Sequence, residues 1–164
     1  MTKDPVFTRR PATPDDLAFA WGLYRRLMKP LTEALIPWQE AAQRAVVERD
    51  LASGQAEIIA VDGADVGWMH LRAEEDRLEL CQLYIAPDHQ NGGIGGAIVE
   101  QLKARAATDG VVLDLKVTVN NRAVALYRRL GFEEVDRDAV KVALRYSPPA
   151  PLGKGGKGRL TSSD

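Results

Sequence analysis

Four of the five residues from Gly92 to Gly96 are glycine, and they stand where the hydrophobic period of the chain changes. Before them, Leu78 to Ile85 (LELCQLYI) reads as an apolar strand closed by Ala86-Pro87. After them, Ile94, Ile98, Leu102 and Ala106 mark one face of a helix that ends near Asp109-Gly110, and Val111 to Val119 returns as a strand. A strand, a helix and a second strand in that order fold as a parallel pair with a right-handed crossover, which makes the domain mixed α/β. Glycine lowers helix stability by roughly 0.8–1 kcal/mol per residue relative to alanine, a loss that needs an offset.

Chemistry offers one. The first amides of a helix have no internal partner and sit at the positive end of its dipole. Residues without a Cβ let an anion come against those amides, so Gln90 to Gly96 is suited to cradle a pyrophosphate through its backbone. The segment is not a Walker A loop, because no Gly-Lys-Ser/Thr follows, and its glycine spacing is not that of a dinucleotide fingerprint. The alternative is a flexible turn with incidental glycines.

The remaining elements follow from period and punctuation. Val6 to Arg10 forms a short strand. Thr13-Pro14-Asp15-Asp16 starts a helix, with Thr13 as N-cap, and Leu17, Trp21, Tyr24 and Met28 carry it to about Lys29, before Pro30. Gln39 to Ala52 is a second helix with Ala42, Ala45 and Val46 inward. Ala56 to Val61 and Val66 to Arg72 are strands joined by an Asp62-Gly63 hairpin turn. Asn121 to Leu130 is a helix with Gly131 as its C-cap, and Phe132 to Asp136 and Val140 to Tyr146 close the domain as a hairpin. After Ser147 the chain is rich in Pro, Gly and Lys, so the domain is expected over residues 1–147 and a flexible tail over 148–164.

Composition excludes several classes. The 22 basic and 23 acidic residues give a net charge of -1, which argues against a nucleic-acid binder. A single cysteine, Cys81, permits no intrachain disulfide, and with only His70 and His89 beside it no Cys/His zinc site is expected. No apolar run is long enough for a membrane span and no signal peptide is apparent, so the expected location is the cytoplasm.

Gln90-x-x-Gly93-x-Gly95 after a strand ending in Pro87, followed downstream by Asn120-x-x-Ala123-x-x-Leu126-Tyr127-x-x-x-Gly131-Phe132, resembles the GNAT superfamily of acyl-CoA N-acyltransferases. The likeness covers roughly Val6 to Tyr146 in layout and is carried by Leu78 to Phe132. It implies a mixed, mostly antiparallel sheet of about six or seven strands with helices on both faces, its two central strands splayed around the acyl group. It implies acetyl-CoA as cosubstrate and no metal. Gln90, Asn91, Gly92, Gly93, Ile94, Gly95 and Gly96 would wrap the pyrophosphate. Leu83, Tyr84 and Ile85 would pair with the pantetheine arm, and Asn120 would contact it. The Leu83 amide would polarise the thioester carbonyl, and Tyr127 would aim its hydroxyl at the CoA sulfur. Many members carry Arg or Lys where this chain has Gly92, so binding would lean on backbone amides, unless Lys103, Arg122 or Arg128 compensates.

Acyl transfer to an amine needs a lost proton, a stabilised oxyanion and a departing thiolate. Tyr127 is the candidate acid. Glu79, eleven residues before Gln90, matches the place of a catalytic glutamate in some members and by strand parity faces with Cys81, Leu83 and Ile85; the alternative is a solvent-facing carboxylate. Gln82 and Tyr84 face the other way. Trp38 and His70 are the candidates for acceptor contact, against core packing and an ordinary sheet-face histidine, and Cys81 reads as a buried free thiol. The expected reaction is direct attack of a primary amine, of a small molecule, on acetyl-CoA in a ternary complex. The alternatives are a protein N-terminus or lysine as acceptor, or a non-catalytic CoA-binding module. Members often dimerise, so a possible homodimer is implied as well.

Overall fold

In the computed structural model, which describes residues 4–150, the strands are β1 (Thr8–Pro11), β2 (Ala56–Val61), β3 (Ala64–Ala73), β4 (Arg77–Ile85), β5 (Val112–Thr118), β6 (Glu133–Arg137) and β7 (Lys141–Tyr146). The helices among the described residues are α1 (Leu17–Glu33), α2 (Glu40–Ala52), α3 (Ile94–Asp109) and α4 (Ala123–Arg129), with short 3-10 turns at Pro14–Asp16 and Pro87–His89. The strands make one sheet of order β1-β2-β3-β4-β5-β7-β6, antiparallel throughout except for the β4–β5 pair. This is the mixed, mostly antiparallel architecture that the motifs imply. The expected tail lies, from residue 151 onward, outside the described residues.

Alternation along the strands sends side chains to two cores. Ile59, Val66, Met69, Leu78, Leu80, Leu113 and Leu144 pack under α3 and α4, against Ile98, Val99, Leu102 and Tyr127. On the other face Ile58 and Trp68 pack under α1 and α2, against Trp21, Leu23, Tyr24, Val47 and Leu51. Each large apolar side chain so buried contributes roughly 1.5–3 kcal/mol relative to exposure.

Local signals hold at several ends. The Thr13 hydroxyl accepts from the Asp15 amide at 3.2 Å, and the Thr13 amide donates to Asp16 Oδ2 at 2.9 Å. Asp62 and Gly63 both have positive φ, 51° and 82°, the conformation a two-residue hairpin turn requires.

Three expectations are corrected. The first helix runs through Pro30 to Glu33 instead of stopping near Lys29. Proline removes one amide donor, and the turn around it is held by burial of Thr32 and packing of Leu27 and Met28. The inward face of α2 is Val47, Asp50 and Leu51, whereas Ala42 and Ala45 are exposed and Val46 is half-buried. Alanines bury little area, so the larger Val47 and Leu51 set the rotation.

The third correction lies in β4. His70 pairs with Gln82 but Leu71 pairs with Leu80, so Cys81 is an extra residue without a cross-strand partner. This β-bulge reverses the alternation. Leu78 and Leu80, and beyond the bulge Leu83 and Ile85, all face the α3 side. Glu79 therefore shares its face with Gln82 and Tyr84, not with Leu83 and Ile85 as uninterrupted parity implies.

Candidate active site

β4 and β5 pair only from Arg77↔Val112 to Leu80↔Leu115, and beyond that point they separate. The gap holds a cavity of about 240 Å³. Its β4 wall is Leu80, Cys81, Gln82, Leu83 and Tyr84, and its β5 wall is Leu115, Lys116, Val117 and Thr118. Tyr24 and Met28 of α1, with Gln43 and Val46 of α2, cover one side; Asn121, Ala123 and Tyr127 close the other, and Lys141 of β7 adds to the rim.

Backbone direction at Leu83 follows from alternation. The Ala86 amide donates to the Val66 carbonyl at 2.7 Å, so residues 86, 84 and 82 turn their polar groups toward β3, and 85 and 83 turn theirs away. Gln90 Nε2 donates to the outward Ile85 carbonyl at 2.8 Å. The Leu83 amide thus faces a gap in which no strand pairs with it. The Gln90 side chain serves the end of β4, which leaves any outward role of that residue to its backbone.

At the same end of β4 the glycine turn opens α3. Asn91 has φ 68° and Gly93, the N-cap, has φ 86°. Among the described residues, no acceptor takes the amides of Asn91 to Gly96; the first amide engaged is that of Ala97, which donates to the Gly93 carbonyl at 2.9 Å. Among the described residues, a Cβ built on Gly95 or Gly96 meets no atom within 4 Å outside its own helix and chain neighbours. Packing does not demand glycine there, and the open space lies over unengaged N–H groups. That is the arrangement a bound diphosphate fits. The basic residues that could replace the charge missing at Gly92 are partly engaged elsewhere: Lys103 pairs with Glu100 at 3.3 Å and lies over Tyr146, and Arg128 pairs with Glu134 at 2.9 Å.

Tyr127 is buried, lines the cavity, and packs edge-on against Phe132 at 5.4 Å. Burial pushes its hydroxyl up to about 12, so it stays protonated across the neutral and mildly alkaline range. Asn120 Nδ2 donates to the Leu31 carbonyl at 3.0 Å, tying the β5–α4 connection to the end of α1. Its neighbour Asn121 lines the cavity, and its Oδ1 accepts from the Ala123 amide at 2.9 Å.

Behind the β4 wall runs a buried polar chain that only the fold brings together. The Tyr84 hydroxyl donates to Gln82 Oε1, and Gln82 Nε2 donates to Asp50 Oδ2 at 2.9 Å. Asp50 Oδ1 lies 3.3 Å from His70 Nδ1, with both residues buried. Neither ring nitrogen completes a hydrogen bond of good geometry, so the contact is an ion pair, not an aligned bond. Burial alone would hold the imidazolium down; the Asp50 carboxylate and the Cys81 thiol beside the ring more than offset it and raise His70 to about 9. Burial likewise pushes Asp50 up, and the adjoining His70 ring together with the hydrogen bond from Gln82 brings it below the usual carboxylate value. Of this chain, sequence reasoning singled out His70 but missed Asp50, a polar residue on a helix with no motif around it.

Two other candidates sit away from the cavity. Glu79 accepts from Arg72 Nη1 at 2.9 Å and from Arg77 Nη2 at 3.3 Å and does not line the wall. Trp38 stacks on Trp21 at 6.2 Å, lies 6.1 Å from the Tyr24 ring, and donates its Nε1–H to Glu40 at 2.6 Å. His70 is likewise off the wall. Among the described residues, no group of three or more His, Cys, Asp or Glu could hold a metal ion, and no helix is long and apolar enough to cross a membrane.

Sequence comparison agrees with this geometry. The family described as acetyltransferase (GNAT) domain matches residues 52–134, half of the chain, and the protein belongs to that family. An amino-acid acetyltransferase from Azotobacter vinelandii is 30% identical over 135 residues, covering 81% of this chain and 29% of that protein. The chain spans between 29% and 36% of the length of the curated relatives it matches. Among solved structures, the PaiA N-acetyltransferase from Thermoplasma acidophilum in complex with coenzyme A superposes with a TM-score of 0.69 at 18% identity, covering 87% of this chain and 99% of that one. The ribosomal-protein-S18-alanine N-acetyltransferase from Escherichia coli gives a TM-score of 0.65 at 21% identity, covering 90% and 98%. Both likenesses establish the fold.

Proposed function

We propose that the protein transfers an acetyl group from acetyl-CoA to a primary amine of a small molecule, by direct attack in a ternary complex. The observation that carries this reading is the common placement, at one end of β4, of an amide facing an unpaired gap and a helix start whose amides are unengaged. The amides from Asn91 to Gly96 hold the diphosphate of the cosubstrate. The pantetheine arm lies along Leu83 to Ile85, and the Leu83 amide donates to the thioester carbonyl. Asn121, whose Nδ2 donates to no acceptor among the described residues, takes the pantetheine contact that the family resemblance implies for Asn120.

The nitrogen lone pair forms a bond to the acetyl carbon, and the negative charge on oxygen is held by the Leu83 amide. The carbon–sulfur bond then breaks. Tyr127 gives its proton to the departing thiolate and regains one through water from the acetylated nitrogen, so the protons balance. No carboxylate or imidazole lines the cavity among the described residues, so the acceptor arrives as the neutral amine. Glu79, held by two guanidinium groups, is assigned to shaping the acceptor face and not to direct proton abstraction.

A small acceptor is favoured by the cavity's size and by the cover that α1 and α2 place over it. The similarity to an amino-acid acetyltransferase points the same way. The test is thiol release and product mass when the protein is mixed with acetyl-CoA and amino acids, diamines or short peptides with free N-termini. Release with a small amine is expected. Release only with peptides would move the acceptor to protein termini. Coenzyme A binding without release from any amine would leave a binding module.

A further inference from the structure

We infer that Lys116, Lys141 and the Thr118 hydroxyl form a carboxylate subsite on the acceptor side of the cavity, so the amine acetylated is one that also carries a carboxylate. The inference rests on the acetyl-transfer reading and names its substrate class: amino acids or closely related amino-carboxylates.

The three residues share one face of the sheet. Leu113 and Leu115 belong to the core under α3, so Asp114, Lys116 and Thr118 point the other way, toward the side covered by α1 and α2. Val142 and Leu144 fix the same division in β7, which puts Lys141, Ala143 and Arg145 on the acceptor side. Thr118 pairs directly with Lys141, and Lys116 with Ala143, so Lys116 and Lys141 are diagonal neighbours, their Cβ atoms on the order of 7 Å apart. All three line the cavity.

On this face Lys116 and Lys141 have Asp136, opposite Ala143 in β6, and Asp138 of the β6–β7 hairpin as acidic neighbours, but form an ion pair with neither. Asp114 is held by Arg145, at 2.7 and 3.0 Å, and by Arg77 at 3.3 Å. Glu79 is held by Arg72 and Arg77. Asp138, in the hairpin beside the lysines, accepts at Oδ1 from the amides of Lys141 and Val140 at 2.7 and 2.8 Å, and these bonds, helped by the charges of Lys116 and Lys141, hold its carboxyl below the usual range. Among the described residues, neither Lys116 nor Lys141 has a carboxylate within ion-pair distance, and no Asp or Glu lines the cavity. Two like charges at this spacing repel; Asp136 and Asp138 ease that repulsion from the β6–β7 side, and an anion in the cavity would ease it from the other.

Thr118 supplies an independent sign. It is 2% exposed, and its Oγ1 has no hydrogen-bond partner. A buried hydroxyl left unpaired is unfavourable and marks a place where a ligand atom completes the bond. A hydroxyl donor opposite Lys141 and two residues along the strand from Lys116 complements the two oxygens of a carboxylate. The same wall disfavours an acceptor that brings a second positive charge.

The test uses the full chain and a panel of amino acids paired with their carboxamides. In turnover, acids are expected to exceed their amides in kcat/KM by tenfold or more. Lys116→Ala with Lys141→Ala should raise KM for the acid by tenfold or more, hold kcat within about threefold and erase the preference over the amide. Thr118→Val should weaken acid binding in the same direction. Coenzyme A affinity should stay within about twofold in both variants. Equal use of acids and amides by the unmodified protein would overturn the subsite, as would loss of coenzyme A affinity in the lysine variant. Calorimetry of acid against amide, with and without coenzyme A, needs no turnover. Lysine-dependent binding of the acid without acetylation would sink the enzyme reading and keep the subsite; acetylation without discrimination would do the reverse.

Discussion

Asp50 of α2 and His70 of β3 meet as a buried ion pair, Oδ1 to Nδ1 at 3.3 Å, directly behind the β4 wall of the cavity. The pair fastens the acceptor-side helices to the sheet, and through Gln82 it fixes the wall residue Tyr84. Its energetic weight depends on pH, because the imidazole is raised from 6.5 to about 9.

A group raised on folding contributes stability that is complete below its unfolded value and lost as pH climbs through the folded one. For His70 the window runs from about pH 6.5 to 9, and the full contribution is on the order of 3 kcal/mol. Asp50, lowered on folding, adds stability that disappears only as pH falls through the carboxylate range. Denaturant unfolding of the native chain and of His70→Gln should therefore differ most below about pH 6.5, above the carboxylate range, with the gap narrowing toward pH 10. A gap independent of pH would mean that folding leaves His70 unshifted, and a gap that grows as pH rises would mean that His70 is neutral in the folded protein.

Tyr127→Phe removes the hydroxyl assigned to the departing thiolate while keeping the ring against Phe132. Turnover should fall about tenfold or more, in the lower range for loss of a general acid. Coenzyme A affinity should change little. An unchanged kcat takes Tyr127 out of the mechanism.

The glycines separate by cause. Gly95→Val should abolish coenzyme A binding with thermal stability nearly intact, since a Cβ there meets only open space. Gly93→Ala should destabilise the fold by about 1–2 kcal/mol, because its φ of 86° is costly for any residue with a Cβ. Calorimetry and thermal melts on the two variants distinguish the roles; intact coenzyme A affinity in Gly95→Val contradicts the cradle.

With no carboxylate or imidazole on the cavity wall among the described residues, the pH dependence of kcat/KM should follow the acceptor amine. Two acceptors whose amines differ by one pKa unit should give rising limbs displaced by about one unit. Glu79→Gln should lower kcat by less than about threefold. A common limb for both amines, removed in Glu79→Gln, would restore that carboxylate as the base.

Much of the architecture was legible because strong local signals agreed with the tertiary solution. The Asp62-Gly63 turn, the Thr13 cap and the glycine-rich entry to α3 each dictate a backbone geometry whatever surrounds them. The acceptor side was not legible. One unpaired residue, Cys81, reverses the face of everything before it on β4, and parity counted through a bulge puts Glu79 on the wrong side. Asp50 and His70, or Lys116 and Lys141, become neighbours only through sheet order and helix rotation. The small alanines of α2 left that rotation unspecified.

The most direct measurement is a backbone amide NMR titration of the full chain with coenzyme A. The largest shifts are expected at the amides of Asn91 to Gly96 and at Leu83, with saturation at one ligand per chain. Shifts confined to other parts of the sheet, or no shifts at millimolar ligand, would contradict the placement of the diphosphate at α3 and of the thioester in the gap.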